Sequence, residues 1–172
     1  MNNAMTVLYR GKHVDFVRRR KWEFVHRRTV TGIVVIAAVT PEKKILLVEQ
    51  FRPPVNARVI ELPAGLAGDV RGSEREDLAE AAKRELMEET GYAASGWRRL
   101  FFGPPSAGAT SEVVTFFKAT RLQKQGKGGG DAHEEITVHE VPVRTVDAWL
   151  KRKTARGMMI DPKVYAGLYF VR

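Results

Sequence analysis

Acidic side chains gather at one end of a segment that has the composition of a helix. Residues 78–91 read Leu-Ala-Glu-Ala-Ala-Lys-Arg-Glu-Leu-Met-Glu-Glu-Thr-Gly, and a glycine in that last position is typical of a helix end. At about 100° per residue, Glu85 and Glu89 fall within about 60° of Leu78, on the apolar side of the helix. A helix that faced solvent would place these carboxylates on the opposite side. The pattern therefore predicts two glutamates that point inward.

The carboxylates of Glu85, Glu88 and Glu89 are unfavourable in this position unless a cation joins them. Burial disfavours the charged form, the carboxylates repel one another, and the C-terminal end of a helix prefers positive charge. Arg84 lies beside them, but one arginine cannot neutralise three carboxylates. Clustered carboxylate oxygens suit Mg²⁺ or Mn²⁺, and the absence of cysteine argues against thiolate zinc sites. The alternative interpretation is a frayed helix end whose glutamates reach water.

The composition is that of an ordinary globular protein with a basic surface. The chain has 172 residues, enough for one domain with a substantial core, and a net charge of +9 that attracts polyanions without choosing among them. The longest apolar stretch, Ile33–Val39, is far too short to cross a bilayer. No secretory signal is visible, and the absence of cysteine excludes disulfides and thiolate catalysis. We therefore expect a cytoplasmic protein that has no membrane partner.

The elements that position the acidic helix are predicted from short β-prone runs and turn residues. Before residue 30 we expect two or three strands, with Arg18–Lys21 as the turn between two of them. Further strands are predicted at 33–39, 45–48, 59–62, 97–102, 112–119 and 136–142. Helices are predicted at about 77–90, 144–154 and 161–171. Residues 64–75 are expected to form a loop, and 123–132 a flexible, glycine-rich loop. The mixture predicts a mixed sheet with helices on its faces.

The start of the acidic helix is ambiguous in the sequence. Either Ser73 with Glu76 or Asp77 with Glu80 has the spacing of a capping box. The two alternatives place the first helical residue in different positions.

The acidic segment resembles a known family motif. Glu76, followed after seven residues by Arg84-Glu85-Leu86-Met87-Glu88-Glu89-Thr90-Gly91-Tyr92, is similar to the Nudix box, Gly-x5-Glu-x7-Arg-Glu-U-x-Glu-Glu-x-Gly-U, where U is bulky and apolar. The box glycine would stand at position 70, which is Val70. The nearest candidate is Gly65, so we interpret the difference as a five-residue insertion within Ala67–Ser73.

Other segments are similar to the ADP-ribose pyrophosphatase branch of that family, namely Glu49–Pro54, Glu61–Gly65 and Ser111-Glu112. The resemblance implies an α+β fold, a Nudix α/β/α sandwich with a mixed β-sheet over residues 31–172. Residues 1–30 would form an N-terminal β-strand arm that makes a homodimer. The implied activity is Mg²⁺-dependent hydrolysis of a nucleoside diphosphate linked to a sugar, which releases a nucleoside monophosphate.

The resemblance also implies roles for individual residues. Glu85, Glu88, Glu89 and the carbonyl of Ala64 would be metal ligands. Arg84 would orient the glutamates, and Glu76 would have a supporting or outer-metal role.

The general base of this branch comes from a mobile loop after the helix, for which Glu134 or Glu135 is preferred over Asp131. The alternative for these residues is a turn of exposed acids before a strand.

The candidates for substrate binding lie outside the acidic helix. Arg52 is suited to a phosphate, Trp22 and Phe24 to stacking on a base, across a dimer or within one chain, and Glu112 to a further substrate contact. Packing of the core or arm is an equally good explanation for the two aromatic residues, and Glu112 is otherwise a surface strand residue.

Two other functions remain open from the sequence. The same chemistry would act on a dinucleotide or capped RNA, the latter favoured by the positive charge. Alternatively, the chain is a non-catalytic regulator that senses a nucleotide and binds nucleic acid. The intact Arg84-Glu85 and Glu88-Glu89 pairs argue against a regulator, so a nucleic-acid partner is not expected.

Overall fold

The computed structural model describes residues 4–28, 30–69, 72, 74–130 and 135–172. The strands are β1 (Thr6–Arg10), β2 (Val14–Arg19), β3 (Trp22–Arg27), β4 (Gly32–Ala38), β5 (Lys44–Arg52), β6 (Ala57–Glu61), β7 (Ala64–Ala67), β8 (Tyr92–Gly103), β9 (Val114–Lys124), β10 (Thr137–Pro142) and β11 (Met159–Ile160). The helices are α1 (Leu78–Thr90), α2 (Val146–Ala155) and α3 (Pro162–Val171), with short 3₁₀ turns at Pro53–Val55 and Val143–Thr145. None of the helices in these ranges is long and apolar enough to cross a membrane.

The N-terminal arm is a separate sheet of three antiparallel strands in the order β1-β2-β3. The predicted basic turn is confirmed, but it is shorter than expected because β2 extends to Arg19 and β3 begins at Trp22. Arg20 makes this tight reversal with a φ of 56°.

Two mixed sheets and three helices form the main body. One sheet has the order β7-β4-β9-β8 and the other β10-β5-β6-β11, and each contains one parallel pair, β4 with β9 and β6 with β11. Alternate residues of β4 face opposite ways. Val34 and Ile36 pack in a core cluster with Leu86 of α1, and Val35 packs in a second cluster with Leu150 of α2 and Leu168 of α3. Helices therefore cover both faces, which confirms the predicted α+β sandwich with a mixed sheet.

The segment before α1 differs from the loop that was predicted. Ala64–Ala67 forms strand β7, which pairs antiparallel with the first half of β4. Ala-Gly-Leu-Ala gives no alternation of apolar and polar side chains, so pairing with β4 rather than the local sequence pattern accounts for this strand.

The helix start follows one of the two predicted alternatives in part. Asp77 is the N-cap of α1, and its side chain accepts a hydrogen bond from the backbone of Ala79. Glu80 does not complete a capping box, because its carboxylate pairs with Lys83 at 2.6 Å. Ser73 lies outside the described residues.

The loop predicted over 123–132 is confirmed for Gln125–Gly130, but its predicted start is wrong because Gln123 and Lys124 belong to β9. Gln125–Gly130, which we call the glycine strap, lies against the C-terminal end of α1. Its backbone donates hydrogen bonds to carbonyls of that helix end. Asp131 and Ala132 lie outside the described residues.

Candidate functional site

Arg84 is the centre of an ion-pair network between α1 and β7. Its Nε and Nη2 donate to the two carboxylate oxygens of Glu76, each at 3.0 Å. Its Nη1 donates to Glu85 at 2.8 Å and to Glu88 at 3.0 Å, and Nη2 also donates to the carbonyl of Leu66 at 2.8 Å. One guanidinium therefore holds three carboxylates and the β7 backbone together.

The glutamates of α1 are turned inward to different degrees. The side chain of Glu85 is 12% exposed and Glu89 is 2% exposed, which confirms the inward stripe. Glu88, with 48% of its side chain exposed, stands at the rim. Glu89 accepts a hydrogen bond from the backbone N–H of Ala64 at 3.1 Å. The β7 strand that the sequence did not reveal thus forms the floor beneath these carboxylates.

Gly65 in β7 makes room for the carboxylate of Glu85. A Cβ at this residue would lie 2.0 Å from the Glu85 carboxyl carbon, so the Glu85 side chain would have to move. This agrees with the interpretation of Gly65 as the glycine of the motif, despite the longer spacing to Glu76. Of the proposed insertion, Val70, Arg71 and Ser73 lie outside the described residues.

The charges of the network shift the pKa values of its members in opposite directions. Hydrogen bonds from Arg84 lower the pKa of Glu76, and the same bonds raise that of Arg84. Burial raises the pKa of Glu85 to about 7, although Arg84 acts to lower it. The pKa of Glu85 therefore lies close to neutral pH, which is typical of a buried carboxylate with too little positive charge around it.

A cavity of about 490 Å³ opens above β7 and α1. Glu85, Glu88 and Arg84 of α1 line it. Three further cations line it and each pairs with an acid: Arg27 with Glu112 at 3.0 Å, Arg52 with Glu61 at 2.7 Å, and Lys163 with Asp161. The cavity thus brings carboxylates of α1 together with acid-paired cations from other elements.

The structure brings some predicted site residues into this cavity and leaves others elsewhere. Arg52 and Glu112 line it, as predicted for substrate contacts. Within one chain, Trp22 and Phe24 line a different cavity, of about 360 Å³, between the arm and residues 107–111. Glu135 is exposed and is not among the described lining residues, and Glu134 lies outside the described residues.

Four charged lining residues were not predicted, namely Arg27, Glu61, Asp69 and Lys163. Arg27, Glu61 and Lys163 belong to β3, β6 and α3, which are distant in sequence, and Asp69 follows β7. Their only sequence signal is a charge at the end of a β-prone run or in the first turn of a helix, and such charges usually face solvent.

The donor set fits a hard divalent cation in its chemistry. The carboxylates supply only oxygen ligands, which hard divalent cations prefer. Because Gly65 has no side chain, the Glu85 carboxylate can lie directly against β7. In the described part of the chain no three acidic or histidine side chains already converge on one point. Arg84 donates to Oε1 of Glu85 and to Oε2 of Glu88, and each carboxylate has a second oxygen that can bind a cation.

Comparisons with known proteins agree with this geometry. The family model of the NUDIX domain matches residues 27–161. An ADP-ribose pyrophosphatase of Bacillus subtilis is 36% identical over 139 residues, 80% of this chain and 71% of the relative. An ADP-ribose pyrophosphatase of Mycobacterium tuberculosis is 34% identical over 162 residues, 91% of this chain and 73% of the relative. A methanol dehydrogenase activator of Bacillus methanolicus is 32% identical over 123 residues, 71% of this chain, but the match spans only 64% of that relative.

A solved structure described as an ADP compounds hydrolase superposes with a TM-score of 0.72. The superposition covers 98% of this chain and 90% of that chain, at 18% sequence identity. At this identity the likeness shows a common fold and nothing about the ligand.

Proposed function

The chain belongs to the NUDIX domain family, and from this premise we propose that it is a pyrophosphohydrolase that acts on nucleoside diphosphate sugars. Cleavage of the pyrophosphate bond by water releases a nucleoside monophosphate and a sugar phosphate. Relatives named ADP-ribose pyrophosphatase and GDP-mannose pyrophosphatase support this substrate class.

The observation that carries the proposal is that carboxylates of α1 and three cationic side chains from other elements line one cavity. A pyrophosphate carries about two negative charges at neutral pH, so it repels hydroxide, and the negative charge of its leaving group must be offset. Arg27, Arg52 and Lys163 suit the pyrophosphate oxygens, and the carboxylates of α1 suit a divalent cation.

Members of this family use a divalent metal, and we propose Mg²⁺, or Mn²⁺ in its place. Glu85, Glu88 and Glu89 would hold the ion, with the carbonyl of Ala64 as a further ligand. When bound, the ion offsets the charge of the pyrophosphate and favours loss of a proton from water.

Arg84 and Glu76 act as positioning residues. The two hydrogen bonds from Arg84 to Glu76 fix the plane of the guanidinium, and its Nη1 then restricts the rotamers of Glu85 and Glu88. This arrangement fits the orienting role assigned to Arg84, and it gives Glu76 a supporting role through Arg84.

The cations on β3, β5 and α3 would bind the phosphates. Nε of Arg52 donates to Glu61 and Nε of Arg27 donates to Glu112, and these bonds orient two guanidinium groups that line the cavity and would meet phosphate oxygens. Glu112 thereby contributes to substrate binding both as a lining residue and as the anchor of Arg27.

The general base and the base-stacking residues are proposed to come from outside the described cavity wall. Glu134 or Glu135, which follow the glycine strap in sequence, would accept the proton of the attacking water. We propose a homodimer through the arm, residues 1–30, so that Trp22 and Phe24 stack on the nucleobase in the partner's cavity. We also propose a cytoplasmic location, where nucleotide sugars and Mg²⁺ are both available.

A panel of substrates tests the proposal. ADP-ribose, GDP-mannose, a dinucleotide and capped RNA are incubated with Mg²⁺, and the products are identified by mass. We expect a nucleoside monophosphate and a sugar phosphate from at least one sugar nucleotide, with loss of turnover in Glu88→Gln. Glu80→Gln is the matched control, because Glu80 is on the same helix but pairs with Lys83.

Preferred cleavage of the dinucleotide or capped RNA would keep the chemistry and replace the substrate class. Tight nucleotide binding without turnover of any substrate would contradict the enzyme and favour a regulator.

A further inference from the structure

The C-terminal end of α1, a helix that the structure describes throughout, carries several carboxylates and no basic side chain in its last turn. Glu85, Glu88 and Glu89 lie in the last two turns. The helix dipole adds a partial negative charge there, which further disfavours the carboxylates. Something other than a lysine or arginine side chain must satisfy the carbonyl groups at this end.

The glycine strap supplies backbone donors to this helix end. Gly130 donates to the carbonyl of Glu88 at 3.1 Å, and Gly129 donates to that of Glu89 at 2.8 Å. Gln125 and Gly126 both donate to the carbonyl of Gly91, at 2.8 and 3.0 Å. The bonds therefore fall on the two residues whose side chains form part of the proposed metal site and on the residue that ends the helix.

The approach of the strap is so close that only glycine fits at its centre. A Cβ at Gly128 would lie 2.4 Å from the carbonyl carbon of Thr90 and 2.6 Å from the carbonyl oxygen of Glu89. On the helix side, a Cβ at Gly91 would lie 2.2 Å from the carbonyl oxygen of Gly126. Two backbones are thus pressed together without side chains between them.

The strap is also tied to the second sheet. Ile136, the residue before β10, donates to the carbonyl of Gly129 at 3.3 Å. The strap is therefore a bridge between the end of the acidic helix and the start of β10, rather than a free linker.

We propose that the glycine strap is a positioning element of the active site, which fixes the end of α1 so that the Glu88 and Glu89 carboxylates stand where a divalent cation binds. This inference rests on the proposed function, since it assigns a metal to these carboxylates. The strap acts on the backbone that carries the ligands and touches neither substrate nor metal. Because coupling between sites is reciprocal, metal binding must in turn stabilise the strap.

Three alanine variants distinguish the effect of a steric clash between the strap and α1 from the effect of backbone strain within the strap. Gly128→Ala introduces the clash with Thr90 and Glu89, at a φ of +68°. Gly129→Ala is the matched control, because its φ of +113° is more strained for alanine, yet its Cβ meets nothing nearer than 4.0 Å. Gly126→Ala has no positive φ, and its Cβ makes only an ordinary contact at 3.8 Å with Gly91.

The measurement is the affinity for Mn²⁺ by calorimetry or spin resonance, below the unfolding temperature of each variant, together with Mg²⁺ titrations of turnover. We expect Gly128→Ala to weaken Mn²⁺ binding about tenfold, and the two controls to stay within about twofold of the wild type. Wild-type Mn²⁺ affinity in folded Gly128→Ala would overturn the proposal, whatever happens to its melting temperature. A loss as large in Gly129→Ala would also overturn it, because strain alone would then explain the effect.

A measurement on the wild type keeps the proposal testable if Gly128→Ala does not fold. Amide hydrogen exchange at Gly129 and Gly130 is followed while Mg²⁺ is added, and protection should rise in step with metal occupancy. Protection that does not change at saturating Mg²⁺ would overturn the proposal. A wild-type protein that binds Mn²⁺ but hydrolyses no nucleoside diphosphate sugar would instead refute the proposed function and would not affect the positioning role of the strap.

Discussion

Two networks of charged residues in this protein have opposite compositions. In one, the buried carboxylate of Glu49 on β5 meets three basic side chains, with Lys153 Nζ and Arg58 Nε at 2.7 Å and His139 Nε2 at 2.9 Å. In the other, the single cation Arg84 of α1 serves four carboxylates in the described part of the chain, those of Asp69, Glu76, Glu85 and Glu88. The first network is rich in positive charge, and the second is short of it.

The pKa values follow this difference. Burial alone would raise the pKa of Glu49, but hydrogen bonds from Lys153, His139 and Arg58 lower it to about 2. At Glu85 burial prevails over Arg84 and raises the pKa to about 7. The basic partners of Glu49 compensate its buried charge, and their contacts link β5, β6, β10 and α2. Glu85 lacks this compensation, so its network is where an additional cation gains most.

The largest effect is expected from neutralising the carboxylates of the α1 network. Glu88→Gln and Glu89→Gln should each lower turnover by roughly 10²-fold or more, because a metal ligand is lost while the amide keeps the shape of the side chain. Turnover at saturating Mg²⁺ is the measurement, and circular dichroism checks that the fold is kept. Near-wild-type turnover in both variants would contradict the assignment of these carboxylates as metal ligands. The α1 network would then have no functional difference from the Glu49 network.

Arginine substitutions in the two networks should have opposite consequences. Arg84→Ala should raise the Mg²⁺ concentration for half-maximal turnover by roughly 10–100-fold, because Glu85 and Glu88 lose the group that orients them. Arg58→Ala, the matched variant in the Glu49 network, should lower stability and leave the Mg²⁺ titration unchanged. If the titration moves equally in both variants, the orienting role of Arg84 is wrong.

The Glu49 network should appear in the acid stability of the protein. A carboxylate whose pKa is depressed stabilises the fold above its unfolded value of about 4.5, and this contribution is lost as the pH falls toward about 2. Its size is up to about 3 kcal/mol, from about 1.4 kcal/mol for each unit of pKa shift. Glu49→Gln should therefore be less stable at neutral pH and should lose less on acidification, as measured by urea unfolding from pH 7 to 3. Glu80→Gln is expected to follow the wild type at every pH, and an identical curve for Glu49→Gln would contradict the assignment.

The smallest effect is expected from the arm, which belongs to neither network. Trp22→Ala should raise KM several-fold with little change in kcat, if the exposed indole stacks on the nucleobase across a dimer. Sedimentation of the same variant shows whether the dimer persists. An unchanged KM in a dimeric variant would assign Trp22 to packing of the arm.

The acidic network was predictable because it is local. Residues 76–91 form one continuous segment, and the three- and four-residue spacings, Gly91 and the position of Arg84 are read directly along the helix. The cations from other elements were not predictable in the same way. Arg52 was identified through its neighbouring residues, but Lys163 reaches the cavity because α3 packs on β4 and β6, and Arg27 because β3 is hydrogen-bonded to residues 109–111.

The glycine strap shows a different limit of the sequence. A run of glycine, lysine and glutamine has the composition of a flexible linker, which predicted a loop but not the close contact of Gln125–Gly130 with α1. The same residues that permit flexibility also permit two backbones to touch, as Gly91 and Gly128 do at the end of α1. Only the tertiary structure distinguishes these two uses of glycine. Likewise, β7 follows from its pairing with β4 and not from an alternating pattern in its four residues.

The most direct test of the central claim is to locate Mn²⁺ by anomalous diffraction in crystals soaked with the ion. We predict a peak bordered by the carboxylates of Glu85, Glu88 and Glu89, at metal–oxygen distances of about 2.0–2.2 Å, with Arg84 still bonded to Glu76. A fully occupied ion elsewhere, with Glu85 and Glu88 still bound to Arg84, would contradict the account.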